Sequence, residues 1–282
     1  MRRFPLSLTI VLILGMFFLS MIVNDEKALP LQVPIDPCAE KQRAFIGGEV
    51  ITYELFYNWN FVWVSAGLVT FTVEETPDHF HVMVRGKTHD SYEWFYKVKD
   101  RYDTWIDKKT LLPVLYIRET DEGGFKVYER VEFDQQRGKA TSVKGQNKAT
   151  ATPQIVPLSG CMHDIVSIIY TARSLDYSTM KSGEKIPIQV YLDREIYPLK
   201  MAFKGKDSRV KVKAQGIFKT IKLSPEVVSG TVFDANTQLN IWATDDGNKM
   251  PVLIESPISV GSIKAVLKSY KGLQYPMTSK NN

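Results

Sequence analysis

The stretch His79-Phe80-His81-Val82-Met83-Val84-Arg85 decides how the chain is read. Phe80, Val82 and Val84 fall on one side of an extended backbone, with His79, His81 and Arg85 on the other. The same period of two recurs outward from it. It places Ile51, Tyr53, Leu55 and Tyr57 on one face, then Val69, Phe71 and Val73, then Phe125, Val127, Val131 and Phe133. Ile186, Ile188, Val190 and Leu192 follow, then Tyr197, Leu199, Met201 and Phe203, and finally Ile263, Ala265 and Leu267. Strands with one apolar and one wet face are the antiparallel habit. Turn signals at Glu122-Gly123-Gly124, Arg137-Gly138 and Asp245-Asp246-Gly247-Asn248 separate them. No helices alternate with the strands, so a parallel α/β sheet is not expected.

One segment changes period. Met162, Ile165, Val166, Ile169, Ala172 and Leu175 recur at helical spacing, with Ser159 placed to cap and Asp164 in the first turn. This predicts one amphipathic helix near 161–175, between β-rich halves at about 45–150 and 180–275. Residues 276–282 read as a flexible tail. Trp105-Ile106-Asp107 leading to Pro113-Val114-Leu115 is echoed by Trp242-Ala243-Thr244 leading to Pro251-Val252-Leu253. Two related halves and convergent hairpin chemistry both explain the echo.

The N-terminus carries Arg2 and Arg3, then an apolar run over 6–23, then Asn24-Asp25-Glu26. That layout predicts an export signal spanning 1–30, either cleaved or kept as an inner-membrane anchor through residues 6–23. Pro34 and Pro37 mark 31–44 as a tether, and 45–275 as a single domain. The expected location is the periplasm or cell envelope. In such a compartment Cys38 and Cys161, the chain's two cysteines, are expected to form a disulfide. Two unpaired buried thiols are the alternative. A catalytic Cys161 is disfavoured, because His163 at i+2 on a helix would point away from it.

The chain's 282 residues, 44% of them hydrophobic and 24% charged, exclude a disordered or collagenous protein. A single long apolar run excludes a polytopic membrane protein. Residues 181–222 hold 11 Lys or Arg against 4 Asp or Glu. Within them Arg209, Lys211 and Lys213 alternate with Val210 and Val212 and so line one strand face. Such a face suits anionic lipid or an acidic glycan, and it is also how an edge strand is protected from aggregation. Nucleic acid is not expected, because no aromatics are interleaved there.

Arg101, Asp103, Trp105 and Asp107 share another face, just after Tyr92, Trp94, Phe95 and Tyr96. Carboxylates beside aromatics suit a glycan, and Arg101 and Trp105 are candidate ligand contacts. Arg101 should keep Asp103 ionised, which makes it a poor general acid. Asp107 opens a turn. His79 and His81, with Asp78 or His89, read as a wet strand face and not as a metal site. No phosphate loop, dinucleotide fingerprint or nucleophile elbow occurs, so no cofactor is expected.

Three groups of residues together carry a resemblance. The first is Lys97-Val98-Lys99-Asp100-Arg101-Tyr102 with Trp105-Ile106-Asp107 and Leu112-Pro113. The second is Asp164-Ile165-Val166-Ser167 with Tyr170-Thr171-Ala172-Arg173. The third is Ile241-Trp242-Ala243-Thr244-Asp245-Asp246 with Pro251-Val252 and Val260-Gly261-Ser262-Ile263. In this order they resemble the bacterial exported family called domain of unknown function 3108. The resemblance implies an envelope protein built on a large curved antiparallel sheet folded on itself, open-barrel-like and similar to lipoprotein carriers. It implies no catalytic residues. The expected function is non-catalytic: binding an amphipathic envelope ligand (lipid, lipoprotein or glycan-lipid), or acting in envelope assembly. An envelope polysaccharide hydrolase is the alternative.

Overall fold

A computed structural model describes residues 42–59, 62–94, 96–227, 238–257 and 261–281. The export segment, its apolar run, the tether up to residue 41 and Cys38 lie outside the described residues. Sixteen strands and one α-helix are found among those described. The first half comprises β1 (Val50–Trp59), β2 (Val62–Glu75), β3 (His79–Thr88), β4 (Lys99–Asp107), β5 (Pro113–Glu122), β6 (Phe125–Asp134), β7 (Lys139–Gly145) and β8 (Thr152–Pro157). A two-residue β9 (Met162–His163) and the helix α1 (Ser167–Arg173) follow. The second half comprises β10 (Lys185–Leu192), β11 (Glu195–Val212), β12 (Gly216–Pro225), β13 (Asn240–Thr244), β14 (Pro251–Pro257), β15 (Ser262–Lys271) and β16 (Lys280–Asn281).

The strands form one sheet in the order β8-β7-β6-β5-β4-β3-β2-β1-β15-β14-β13-β12-β11-β10-β9, with β16 added beside β12. Neighbours run antiparallel except β9 and β10. The two halves are therefore joined edge to edge, where β1 pairs β15 from Val50↔Lys271 to Asn58↔Ser262. The period of two places the buried face as expected: Phe80, Val82 and Val84 are core residues. Phe125 departs from the pattern. It follows the two-residue turn Gly123-Gly124, both at positive φ, and stands exposed at the strand end.

Antiparallel order puts alternate turns at the same end of the sheet. The β1–β2, β3–β4, β5–β6, β7–β8, β10–β11 and β14–β15 connections share one end, here termed the rim. The β4–β5, β11–β12 and β13–β14 turns lie at the far end, with α1. The two echoed hairpins have one local geometry. Each has a register shift just after its Trp, pairing Ile106 with Pro113 and Ala243 with Pro251. Each also has a non-glycine residue at positive φ two positions before the proline, Leu111 and Lys249.

The ends of the sheet, β8 and β9, are not paired with each other. Side chains close the seam instead. Gln135 donates Nε2 to the carbonyl of Met162 at 2.8 Å and accepts the Met162 N–H at 3.3 Å. Tyr191 on β10 donates to Glu129 on β6 at 3.3 Å, and Arg194 donates Nε to Ser142 on β7 at 3.1 Å. Arg118 and Lys144 both pair with Asp193.

The helix is shorter than the spacing predicts. Met162 and His163 pair with Gln189 and Val190, so their backbone is extended and helix can begin only after Asp164. Asp164, not Ser159, satisfies the first turn: its Oδ1 accepts the N–H groups of Val166 at 2.7 Å and Ser167 at 2.9 Å. Thr104 on β4 donates to Oδ2 at 2.6 Å, anchoring that end to the sheet. Val166 and Tyr170 pack into one core cluster and Ile168 and Ala172 against a second, so sheet surrounds the helix. The expected tail is tied down: Lys280 and Asn281 pair with Phe218 and Ile217, and Ser279 accepts the Lys219 N–H at 2.8 Å. Among the described residues no helix is long and apolar enough to cross a membrane.

At the end of α1, Arg173 is buried. It donates to both oxygens of buried Glu49 at 2.7 Å, to the carbonyl of Asn248 at 3.1 Å and to that of Ala44 at 3.3 Å. Removing one partner of such a pair strands the other charge and costs about 3–5 kcal/mol, whereas apolar replacement of both is far better tolerated. Arg173→Ala is therefore expected to lose that much stability in urea unfolding, and Glu49→Leu/Arg173→Met to recover most of it.

Candidate functional site

The buried face of the sheet does not pack solidly. Between α1 and strands β1, β2, β14 and β15 lies a cavity of about 160 Å³. Its walls are Ile51, Tyr53 and Leu55 of β1, Val69 and Phe71 of β2, Pro251 and Ile254 of β14, and Ala265 of β15, with Ile169, Tyr170 and Arg173 of the helix. Two of the polar groups among these are already engaged. Tyr53 donates to the Pro251 carbonyl at 2.9 Å, and Arg173 holds Glu49. The wall is otherwise aliphatic and aromatic, with the Tyr53 and Phe71 rings edge to face at 5.8 Å. Such a space holds hydrocarbon and lacks a group able to donate or take a proton near neutral pH. Burial pushes the Tyr53 and Tyr170 hydroxyls further up from their ordinary value.

Toward the rim the same face turns polar. Asp100, Tyr102 and Thr104 of β4 lie beside Tyr116 and Arg118 of β5, with Tyr102 opposite Arg118. Glu129 of β6 is fully buried. It accepts from Arg118 at 3.3 Å, Ser142 at 3.1 Å and Tyr191 at 3.3 Å. The β10–β11 turn delivers Asp193 and Arg194, both at positive φ, which costs non-glycine residues energy and is retained where neighbours hold it. Burial would raise the Asp193 carboxyl, but Lys144 and Arg118 outweigh it and hold it below its ordinary value. Asp100 goes the other way. Burial and the neighbouring Glu122 carboxylate push it up to about 7. Oδ1 of Asp100, the Tyr116 hydroxyl and Nε of Arg118 are buried and meet no hydrogen-bond partner within the protein. This belt can hold water or a small polar group against the wall of the barrel.

The residues expected to bind ligand occupy the opposite, outer face. Arg101 and Trp105 do converge there, around Asp103. Arg101 donates to Asp103 at 2.6 Å, Arg85 at 2.9 Å and His81 bonds it at 3.0 Å, while the His81 ring stacks on Trp105 at 4.1 Å. Burial would raise Asp103, but the bonds from Arg85, Arg101 and His81 prevail and keep it ionised. Asp107 spends its carboxylate on the turn, accepting from Lys109 and Thr110. Arg209 and Lys211 share an exposed face of β11 and Lys213 stands exposed in the turn just after it, 5.9 Å from the centre of the Phe56 ring. No contact among the described residues joins them to Arg101 or Trp105. Among the described residues no group of three or more His, Cys, Asp or Glu is placed to hold a metal.

The polar belt escaped the sequence reading, although a signal was present. Glu129 falls at the buried parity of β6, between Val127 and Val131. A charge on an apolar face has to be paired.

A family model described as a protein of unknown function, DUF3108, matches residues 52–268. No curated protein matches the sequence. Among solved structures the chain is similar to a crystal structure of a β-barrel-like protein of domain of unknown function DUF1849 from Brucella abortus. Identity is 7% and the TM-score 0.55, over 83% of this chain and 99% of the other. That likeness concerns the fold alone.

Because Asp100 binds its proton more tightly when folded, it favours the fold below the unfolded carboxyl pKa near 4, and that contribution is lost as pH rises to about 7. Asp100→Asn, which cannot ionise, should flatten the decline in melting temperature between pH 5 and 8. Discounted for partial exposure, the effect is on the order of 1 kcal/mol, or about 2–4 °C.

Proposed function

The chain belongs to the DUF3108 family of proteins of unknown function, and from that premise we propose that it is an exported, non-catalytic envelope protein that binds the hydrocarbon part of an amphipathic ligand. The observation that carries this reading is the apolar cavity beside α1. A dry cavity of roughly 150 Å³ accepts a benzene-sized group, so this one accommodates a short segment of acyl chain as it stands. A whole chain enters only if α1 gives way. The helix is short and is held by polar contacts at its two ends, Asp164–Thr104 and Arg173–Glu49. Export to the periplasm, with retention by residues 6–23 as one option, supports an envelope amphiphile as cargo. The basic face of Arg209, Lys211 and Lys213 supports an anionic headgroup or glycan on that cargo. The hydrolase alternative has less in its favour, because Asp103 is an ion-paired carboxylate and Asp107 a turn cap.

Displacement of a fluorescent acyl probe tests the reading. Wild-type protein should bind the probe, and Ile169→Trp, which fills the cavity, should weaken binding about tenfold or more with the far-UV spectrum retained. Absence of binding by wild type, or equal binding by the variant, would refute it. The export reading carries a second test, since it pairs Cys38 with Cys161. Non-reducing peptide mapping of protein from its native compartment should recover the two cysteines in one linked species. Recovery of both as alkylated thiols would overturn the pairing.

A further inference from the structure

The exposed large apolar side chains are not scattered. Among the described residues, all but Ile46 and Ile155 stand on the rim. Val62 and Trp63 open β2, Tyr92, Trp94 and Tyr96 lie in the β3–β4 connection, Phe125 follows the β5–β6 turn and Ile263 opens β15. Trp94 is 83% and Phe125 70% exposed. Scattered apolar residues need no explanation, but a set gathered on adjacent hairpin tips at one end marks an interaction surface.

The charges between these tips identify the partner. Lys97 pairs with Glu93 at 2.8 Å, Lys126 with Asp121 at 3.6 Å, Lys148 with Glu119 at 3.6 Å and Lys264 with Glu255 at 2.8 Å. Lys264 also lies 4.3 Å from the Trp63 ring centre. The rim is thus aromatic, dominated by Trp and Tyr, and most of its lysines are paired, with Lys87 and Lys99 of the β3–β4 hairpin the exceptions among the described residues. A polyanion would select unpaired cations. A protein interface core would present a contiguous patch, not side chains on separate tips. Trp and Tyr beside both signs of charge match the headgroup layer of a bilayer, where amphipathic rings sit between hydrocarbon and water.

We propose that the rim docks on a lipid bilayer, inserting Trp63, Trp94, Tyr96 and Phe125 into a zwitterionic headgroup layer. This surface is separate from the cavity beside α1 and does not depend on ligand binding there.

Fluorescence quenching by brominated phosphatidylcholine tests it on the full chain, because it reports where each tryptophan sits, whatever else holds the protein to the vesicle. Vesicles of brominated phosphatidylcholine should quench wild-type emission. Trp63→Phe and Trp94→Phe should each remove part of that quenching, and Trp242→Phe, on β13, should not. Tyr96→Ser/Phe125→Ser keeps Trp63 and Trp94 and should weaken their quenching about tenfold, since interfacial binding scales with apolar area inserted. Ile155→Ser, exposed but off the rim, should leave it unchanged. Quenching should also persist at high salt. The proposal fails if bromolipid does not quench, if Trp63→Phe and Trp94→Phe leave quenching intact, or if salt abolishes it. A concentration-dependent dimer dissolved by Tyr96→Ser/Phe125→Ser, without bromolipid quenching, would equally overturn it and assign the rim to self-association.

Discussion

A bidentate ion pair sealed from water, Arg173 with Glu49, holds together segments that are remote in sequence. Arg173 ends the helix, Glu49 precedes the first strand, and the carbonyls of Ala44 and Asn248 complete the guanidinium's surroundings. The rings of Tyr170 and Phe45 lie within 6.0 Å of it. Desolvating two charges is costly, and a pair of this kind is kept for the geometry it enforces more readily than for the stability it adds. Here the geometry is the seat of α1. With the helix end fixed to the start of β1, Ile169 and Tyr170 must face β1 and β2, and the space they leave is the apolar cavity.

The interior is divided by chemistry along the strands. Near α1 it is hydrocarbon. Toward the rim it becomes a belt of buried charges, and this belt also carries much of the seam. A backbone ladder between β8 and β9 would have closed the sheet rigidly. Side chains from Gln135, Glu129, Ser142 and Asp193 close it instead, each bond worth about 0.5–1.5 kcal/mol net if neutral and more if charged. The two-residue turn at Asp193-Arg194 adopts positive φ at both positions, the conformation a tight hairpin requires, and in doing so places one anion between Arg118 and Lys144.

Much of this was legible in the residues. The alternation at 79–85 gives the buried face of β3, and turn chemistry locates the hairpins. The Trp-to-Pro echo corresponds to two hairpins with the same register shift. Arg101, read as the same-face neighbour of Asp103, is indeed bonded to it. What was misread has a common cause, since periodicity describes a segment and not its partners. Met162 fits a helical stripe, yet parallel pairing with β10 draws it into a strand. Lys280 and Asn281 look like tail, yet their backbone groups complete β12. Arg118 and Glu129 face each other across one hairpin, but Asp193 carries no local signature as their neighbour, because it reaches Arg118 only when β10 is brought beside the opposite end of the sheet.

The join between β1 and β15 sets the order in which the sheet can be made. Val50 lies opposite Lys271, so this pair, the seventh from the β9 edge of the sheet, cannot form until nearly the whole chain is available. During synthesis, β1 through β8 can zip by local hairpins while the outer edge of β1 stays open. Pairings of such long sequence separation close late and slowly, because loop entropy is lost before any contact is gained. Until then the nascent half-sheet presents an unpaired edge and an apolar face, the two features that invite aggregation. The fold's most central ladder is therefore among the latest to become possible, and until it forms the edge of β1 is the one to be kept apart from others like it.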